Sequence, residues 1–561
     1  MNRRFVPVLA WVAASVSLIL GAAGCRSHTE DYGLHELGVS RQQIHEIEPL
    51  QLKKAEPNAV PPEANQPPAT LDLSLEQSRA LALQNNLQLK ADLVSPEIAA
   101  AQLSAEEAKF EAAFVANAGF TRSDQPQGGA VPIPGSTALL PIVQSTQAER
   151  LAGNLGVQVP LRTGGTTTVG FADSRTEVLD VDRPFNPSYQ NTIYASLSQP
   201  LLRNAGRWVS TYSIRLAGYN RDITDVRTRL EVITVLAALD RVYWRLYAAR
   251  RELEVRQQQY ELAQSQLGQA KRLVDAGQRP QVEIIRAEAG VAQQLEAIII
   301  AENNLRDRER ELKRVIRKAG LTVETPTVVI PSTQPDPVHY VLARPQLVSM
   351  AIQNRMELLE LQLQLLQDAS TIDYARNQTL PLVTLDYAYN ISSTGESRDE
   401  SLEMLFKSDF TSHDLSLQAV IPIGNEVAKS QLRQAIYQRR QRLATRADRE
   451  DLIRVEVLNA VDQAEAYWQR ILAARQTSIL NGRLYEAEKR QFEQGQRTST
   501  DVFDAQTKFA DAQSSEIRAL TEYQIALVDL AYATGTLLGA ARIEWQPAIP
   551  QADELGLVRH Q

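Results

Sequence analysis

Three sets of side chains in this sequence have the types and spacing to do chemistry. The first is Cys25, the only cysteine of the chain. It follows Arg3 and Arg4, an apolar run from Phe5 to Leu20, and the small residues Gly21-Ala22-Ala23-Gly24. That order is an export signal. A thiol at its end can carry a diacylglycerol after cleavage, leaving Cys25 as the first mature residue. The plainer alternative is an incidental cysteine, since Ala22 stands where such signals usually have Leu. With no second Cys, the mature chain forms no internal disulfide. The second set is Asp501 and Asp504, three residues apart and so on one face of a helix that follows Gly495. Acids in a first helical turn offset the macrodipole by about 0.3–1 kcal/mol, which is their minimal role. The third set is Glu283 and Arg286, which hold the same two positions after Gly277 in an earlier copy of the phrase.

Enzyme chemistry finds no footing. The histidines (His28, His35, His45, His339, His413, His560) are scattered and include no i,i+4 pair for zinc. Thr163-Gly164-Gly165-Thr166 is glycine-rich but leads into a strand pattern, so no helix N-terminus is there to cradle phosphate. No P-loop or nucleophile elbow is present, so no catalytic residue, metal or cofactor is expected. A net charge of −8 gives no basic face for nucleic acid.

The elements that carry these residues are unusual in length. Residues 1–24 are the leader, and 25–70 form a polar tether rich in proline (Pro57, Pro61, Pro62, Pro67, Pro68). After the leader no run of 18 apolar residues occurs, so a membrane span would have to be a closed β-barrel. A helix is predicted from Ser74, with Gln77 completing a capping box, to Ala112, with a break at Ser95-Pro96. Alternation of Phe114, Ala116, Ala118 and Phe120 with Val115, Asn117, Gly119 and Thr121 predicts a strand, followed by a Gly/Pro-rich loop over 125–150. Leu151–Leu161 and Thr166–Thr176 flank a hairpin turn, and Asn191–Leu202 is a further strand. From Gly206 to Ala276 there is no proline, and Ile223, Val226, Leu230, Ile233, Ala237, Asp240, Trp244 and Tyr247 follow a coiled-coil seam that Asp240 interrupts. Seventy residues of helix extend about 105 Å, too long for a compact domain.

The plan then repeats. Ala82-Leu83-Gln84-Asn85-Asn86 returns as Ala351-Ile352-Gln353-Asn354-Arg355 at an offset of 269, and Val383, Leu385, Tyr387 and Tyr389 alternate with polar or small residues as a barrel strand does. Tyr243-Trp244 returns as Tyr467-Trp468, and their mid-helix heptad positions favour packing over a membrane aromatic belt. Tyr260-Glu261 returns as Tyr485-Glu486, and Gly277-Gln278-Arg279 as Gly495-Gln496-Arg497. Between these last two pairs the offset falls from 225 to 218. The difference is one heptad, which shortens a coiled coil without turning its inner face.

This ordered repeat resembles the outer membrane efflux protein family, similar to TolC. Ser198-Gln199-Pro200-Leu201-Leu202 and Val420-Ile421-Pro422-Ile423-Gly424 look like its strand-to-helix junctions. The stretches after Gly277 and Gly495 look like its two periplasmic hairpin tips. The resemblance implies a mainly α fold with a small β-barrel contribution: a tandem-repeat, long-helix coiled-coil α-barrel plus transmembrane β-barrel strands, assembled as a trimeric channel-tunnel. It implies a first repeat over 71–320, an equatorial linker at 321–343, a second repeat over 344–540 and a C-terminal equatorial segment at 541–561. It also implies outer-membrane lipid, a periplasmic adaptor and an inner-membrane transporter as partners, with Gly277 and Gly495 docking the adaptor. Asp501 and Asp504 would form a cation-favouring ring at the gate, supported by Glu283. Arg497 and Phe492 would act as its latch, or simply be a solvated arginine and a core phenylalanine. A lipid-tethered periplasmic adaptor or scaffold that does not span the membrane is the competing function. The hairpin at 151–176 has no counterpart in the second half. It reads slightly better as decoration on the outer side than as two extra barrel staves.

Overall fold

The computed structural model describes residues 69–544 apart from 133, 136, 138 and 180–183. Cys25, the leader, nearly all of the tether and residues 545–561 lie outside the described residues.

Strand β1 (Thr70–Leu73) leads into helix α1 (Leu75–Asn85) through the expected capping box: Gln77 N–H donates to Ser74 Oγ at 3.1 Å, and Ser74 N–H donates to Gln77 Oε1 at 3.0 Å. The helix expected to run unbroken to Pro96 stops earlier. Asn86 takes extended dihedrals and caps α2 (Leu87–Asp92) through its side chain, and α3 (Ser95–Ala108) restarts with Pro96 in its first turn. In the second half Arg355 makes the same break, between α7 (Arg344–Asn354) and α8 (Met356–Gln378). Asn86 and Arg355 are 269 residues apart, so the interruption was duplicated along with the sequence.

Six strands form one antiparallel sheet in the order β2 (Ala113–Pro132), β3 (Leu139–Pro160), β4 (Thr166–Val178), β5 (Ser188–Pro200), β7 (Leu382–Gly395), β8 (Thr411–Val420). Two expectations are corrected here. The loop assigned to 125–150 is mostly strand, because β2 and β3 pair residue for residue from Ala113↔Gln158 to Pro132↔Leu139. The 151–176 hairpin is no decoration. Both of its strands lie inside the ladder, between β2 and β5. Its turn is pinned to the start of the next helix, with Gly206 N–H donating to Thr163 O at 2.9 Å. A Cβ on Gly164 (φ +95°) would overlap Asn204 O, so the site demands glycine. On the sheet, the Tyr194 ring of β5 lies across the Gly156–Gly170 pair of β3 and β4, 2.5 Å from where a Gly170 Cβ would be.

Nearer the helices the register gathers an apolar band on one face, while Asp173, Arg175, Asn191 and Ser393 continue that same face toward the far end. Phe114, Ala116, Ala118 and Phe120 of β2 align with Leu151, Leu155 and Val157 of β3. These continue through Val169 and Phe171, Ile193 and Leu197, and Leu385, Tyr387 and Ile391, to Leu415 and Leu417. The opposite face carries Asn117, Asn154, Thr168, Ser196, Ser198, Asp386, Asn390 and Ser416.

From the sheet, the short α4 (Arg207–Ser210) opens into α5 (Tyr212–Asp275), which returns as α6 (Val282–Ile316). After β6 (Val328–Pro331), α7 and α8, β7 and β8 are joined by α9 (Arg398–Lys407). Then α10 (Glu426–Glu493) and α11 (Ser499–Ala533) form a second hairpin, closed by α12 (Leu537–Ala540). At 64 and 68 residues, α5 and α10 are each about 100 Å long. The Asp240 interruption is satisfied by Arg79 of α1, whose two nitrogens reach the fully buried carboxylate at 2.6 and 2.9 Å. Beside it, buried Tyr243 donates to Leu73 O and accepts from Thr333 N–H, both at 3.0 Å, which fastens the parallel β1–β6 pair to α5. Tyr243 and Trp244 are thus packing residues. Trp468 likewise stacks on His339 and packs against Tyr523.

Core composition changes along the hairpins. Mid-α5 buries Leu236, Leu239, Val242 and Leu246; toward the turn it buries Gln259, Ala263, Gln266 and Ala270 instead, with Ala287, Phe503 and Gln506 around them.

Candidate functional site: the paired hairpin tips

Both hairpin turns use one device. Gly277 (φ +70°) and Gly495 (φ +83°) follow the last residues of α5 and α10 in the left-handed region. Their N–H groups bond Val274 O and Phe492 O, while Gln278 and Gln496 N–H reach back to Leu273 O and Gln491 O at 2.9 Å. These are Schellman caps, which is why glycine recurs there.

The two tips are then tied to each other by side chains of the first. Glu283 is 3% exposed, and its carboxylate accepts from Ser499 N–H at 3.0 Å and from Arg286 at 2.7 Å. Ser499 is the first residue of α11, so an acid from one hairpin caps the helix of the other. Burial works to raise the Glu283 pKa, but the Ser499 and Arg286 contacts outweigh it and hold the carboxyl below the usual range. Arg279 makes the second tie. One of its nitrogens donates to Arg497 O at 3.0 Å and Phe492 O at 3.3 Å, and its guanidinium lies 5.2 Å from the centre of the Phe492 ring. Sequence reasoning passed over Arg279, although the repeated Gly-Gln-Arg phrase displayed it.

The expected gate residues fall into two environments. Asp501 closes a capping box with Thr498, accepting from its N–H at 2.9 Å and its hydroxyl at 2.8 Å. Those Thr498 bonds, helped by Arg497 and Arg286, hold its carboxyl below the ordinary aspartate range. Asp504 is exposed and heads a stripe of exposed polar residues at heptad spacing: Asp504, Lys508, Asp511, Ser515 and Arg518. Phe492 is 1% exposed and belongs to the core of its hairpin. Arg497 donates to Gln491 at 3.0 Å and lies 3.1 Å from Glu488, both on its own hairpin. Higher up, Arg256–Asp511 (3.1 Å) and Arg241–Asp529 (2.6 Å) pair α5 with α11, and Gln506 donates to Gln259 O at 2.8 Å. Among the described residues no cluster of His, Cys, Asp or Glu is arranged to hold a metal, and no helix is long and apolar enough to cross a membrane.

A two-faced sheet continued into duplicated coiled-coil hairpins defines a channel subunit of the membrane-barrel-and-helical-tunnel class. The chain belongs to the outer membrane efflux protein family, whose sequence model matches residues 79–316 and 347–536, one span in each half. Similar solved structures include the CmeC outer membrane channel of Campylobacter jejuni, 15% identical over 86% of this chain and 88% of that one, with a TM-score of 0.58. A membrane protein of Pseudomonas aeruginosa is 17% identical over 82% and 90% at the same TM-score. The outer membrane protein VceC of Vibrio cholerae is 12% identical over 82% and 96%, with a TM-score of 0.56. At these identities the likeness establishes the fold. No curated protein matches the sequence.

Proposed function

We propose that the chain is one protomer of a homotrimeric outer-membrane channel-tunnel, a passive conduit that carries solutes from the periplasm or an inner-membrane transporter to the exterior. The sheet carries this reading: nearer the helices one face has an apolar band across all six strands and the other is mostly polar, which is the pattern of a wall between lipid and water. A periplasmic adaptor that does not span the membrane would not need such a face, and here strands link the helices in both halves. Energy would come from the transporter, through a periplasmic adaptor docked at the turns of Gly277 and Gly495. Exposed Val282 and Ile285 beside the first turn suit such a contact. Three copies of Asp501 and Asp504 would ring the narrow end and favour cations. Glu283, with Arg279, would hold the second hairpin in the closed packing, and Phe492 and Arg497 would stiffen its turn. Cys25 would carry the lipid anchor. Opening would be a switch between two packings of the hairpins.

Heat-modifiable migration as a detergent-resistant trimer, together with conductance in planar bilayers, tests the reading. A soluble monomer without conductance overturns it.

A further inference from the structure

Each protomer contributes six strands to the sheet, and both outermost strands, β2 and β8, have one edge without a partner among the described residues. β2 leaves the helical end and β8 returns to it, so β8 of one copy can pair with β2 of the next in the antiparallel sense used throughout the sheet. We infer that the trimer closes an 18-stranded barrel as wide as its helical tunnel. The inference rests on the trimeric conduit proposed above.

The arc lengths support it. Six strands spaced about 4.8 Å apart and tilted about 40° span roughly 38 Å of circumference. Where the sheet meets the helices, one protomer presents four of them side by side, α3 against α5, α5 against α8, and α8 against α10. Four helices packed about 8–10 Å apart span roughly 32–40 Å. The two arcs agree, and the strands can run into the helices without a taper. At the same tilt four strands would span only about 25 Å. Closed in threes, six-stranded sheets give a backbone diameter of about 36 Å against about 24 Å for four-stranded ones. Barrels of 16 to 18 strands hold open water, whereas barrels of about 8 are filled by side chains.

The side chains of the additional hairpin point the same way. Leu155, Val157 and Val169 are 43–51% exposed and stand in line with the apolar residues of β2 and β5, while Asn154, Gln158 and Thr168 take the polar face. A hairpin hung outside the wall would leave those apolar residues in water for no return.

The test combines imaging with thiol accessibility. Trimers in lipid nanodiscs should show 18 staves by electron cryo-microscopy. Measured against the labelling of the otherwise unchanged chain, Phe171→Cys on the apolar face should resist a water-soluble maleimide until detergent is added, and Ala172→Cys on the polar face should react at once. A trimer with 12 staves, with Phe171→Cys labelled as readily as Ala172→Cys, overturns the wide barrel and leaves the conduit intact. A chain that neither trimerises nor enters lipid overturns both.

Discussion

Replacing Glu283 with alanine should shift the channel toward its open packing. The carboxylate is buried, and its bond to Ser499 N–H is the direct tie from one tip to the helix start of the other. A hydrogen bond to a charged group contributes about 1.5–3 kcal/mol. The Arg286 partner is 44% exposed and adds little beyond a few tenths. A loss of about 2 kcal/mol from the closed side alone corresponds to roughly a 30-fold rise in the ratio of open to closed channels. Single-channel recording in planar bilayers reads that ratio directly. Glu283→Gln keeps a neutral acceptor and should fall between the two. The pH dependence has a defined sign. Because the folded-state pKa is depressed, the tie is complete above the unfolded-state value and is lost as pH falls through the folded one. Acidification should therefore raise the resting leak of the wild type more than that of Glu283→Ala; Asp501, depressed chiefly by Thr498, titrates in both proteins. A Glu283→Ala trimer with the wild-type open fraction at neutral pH would refute the reasoning.

Arg279→Ala removes two carbonyl contacts and the Phe492 ring contact between the hairpins, and should raise resting conductance more than Arg497→Ala, whose partners share its own hairpin. Asp504→Asn should weaken cation preference, measured by reversal potential under a salt gradient, with little change in melting. Asp501→Asn should lower selectivity and also cost about 0.5–2 kcal/mol of stability through the cap, seen as an earlier thermal transition of the trimer. Asp240→Ala leaves the Arg79 guanidinium without its buried partner and should cost about 3–5 kcal/mol, measured by denaturant titration or a collapse in folded yield.

Much of this architecture was legible because a duplicated sequence checks itself. The offset of 269 carried the helix break from Asn86 to Arg355, and the Gly-Gln-Arg phrase marks both turns in the sequence alone. Local signals also sufficed where the structure is local, as at Ser74 and Gln77. What escaped were features that exist only through distant partners. Gly128, Gly129, Pro126 and Pro132 read as loop, yet the facing strand supplies their pairing. The hairpin around Gly164 reads as decorative because only contact with Asn204 and Tyr194 shows that it belongs to the wall. Asp240 looked like a flaw in a seam until Arg79, 161 residues away, was brought beside it. The acidic pair was found, but its division into a capping residue and an exposed one depended on where Thr498 placed its hydroxyl.

The exchange of leucine for glutamine and alanine down α5 has a further consequence. Smaller side chains bury less apolar area, and Gln259, Gln294 and Gln506 each keep a side-chain oxygen that finds no protein donor among the described residues. Apolar burial along α5 is therefore lower toward its turn than at its middle. Amide hydrogens near Gln259 and Gln506 should exchange in local openings, while those around Leu239 wait for the whole fold to open. The turns can therefore vary to suit a new partner while the shaft stays as it is, because the middle of α5 is held by an apolar core that does not extend to its turn.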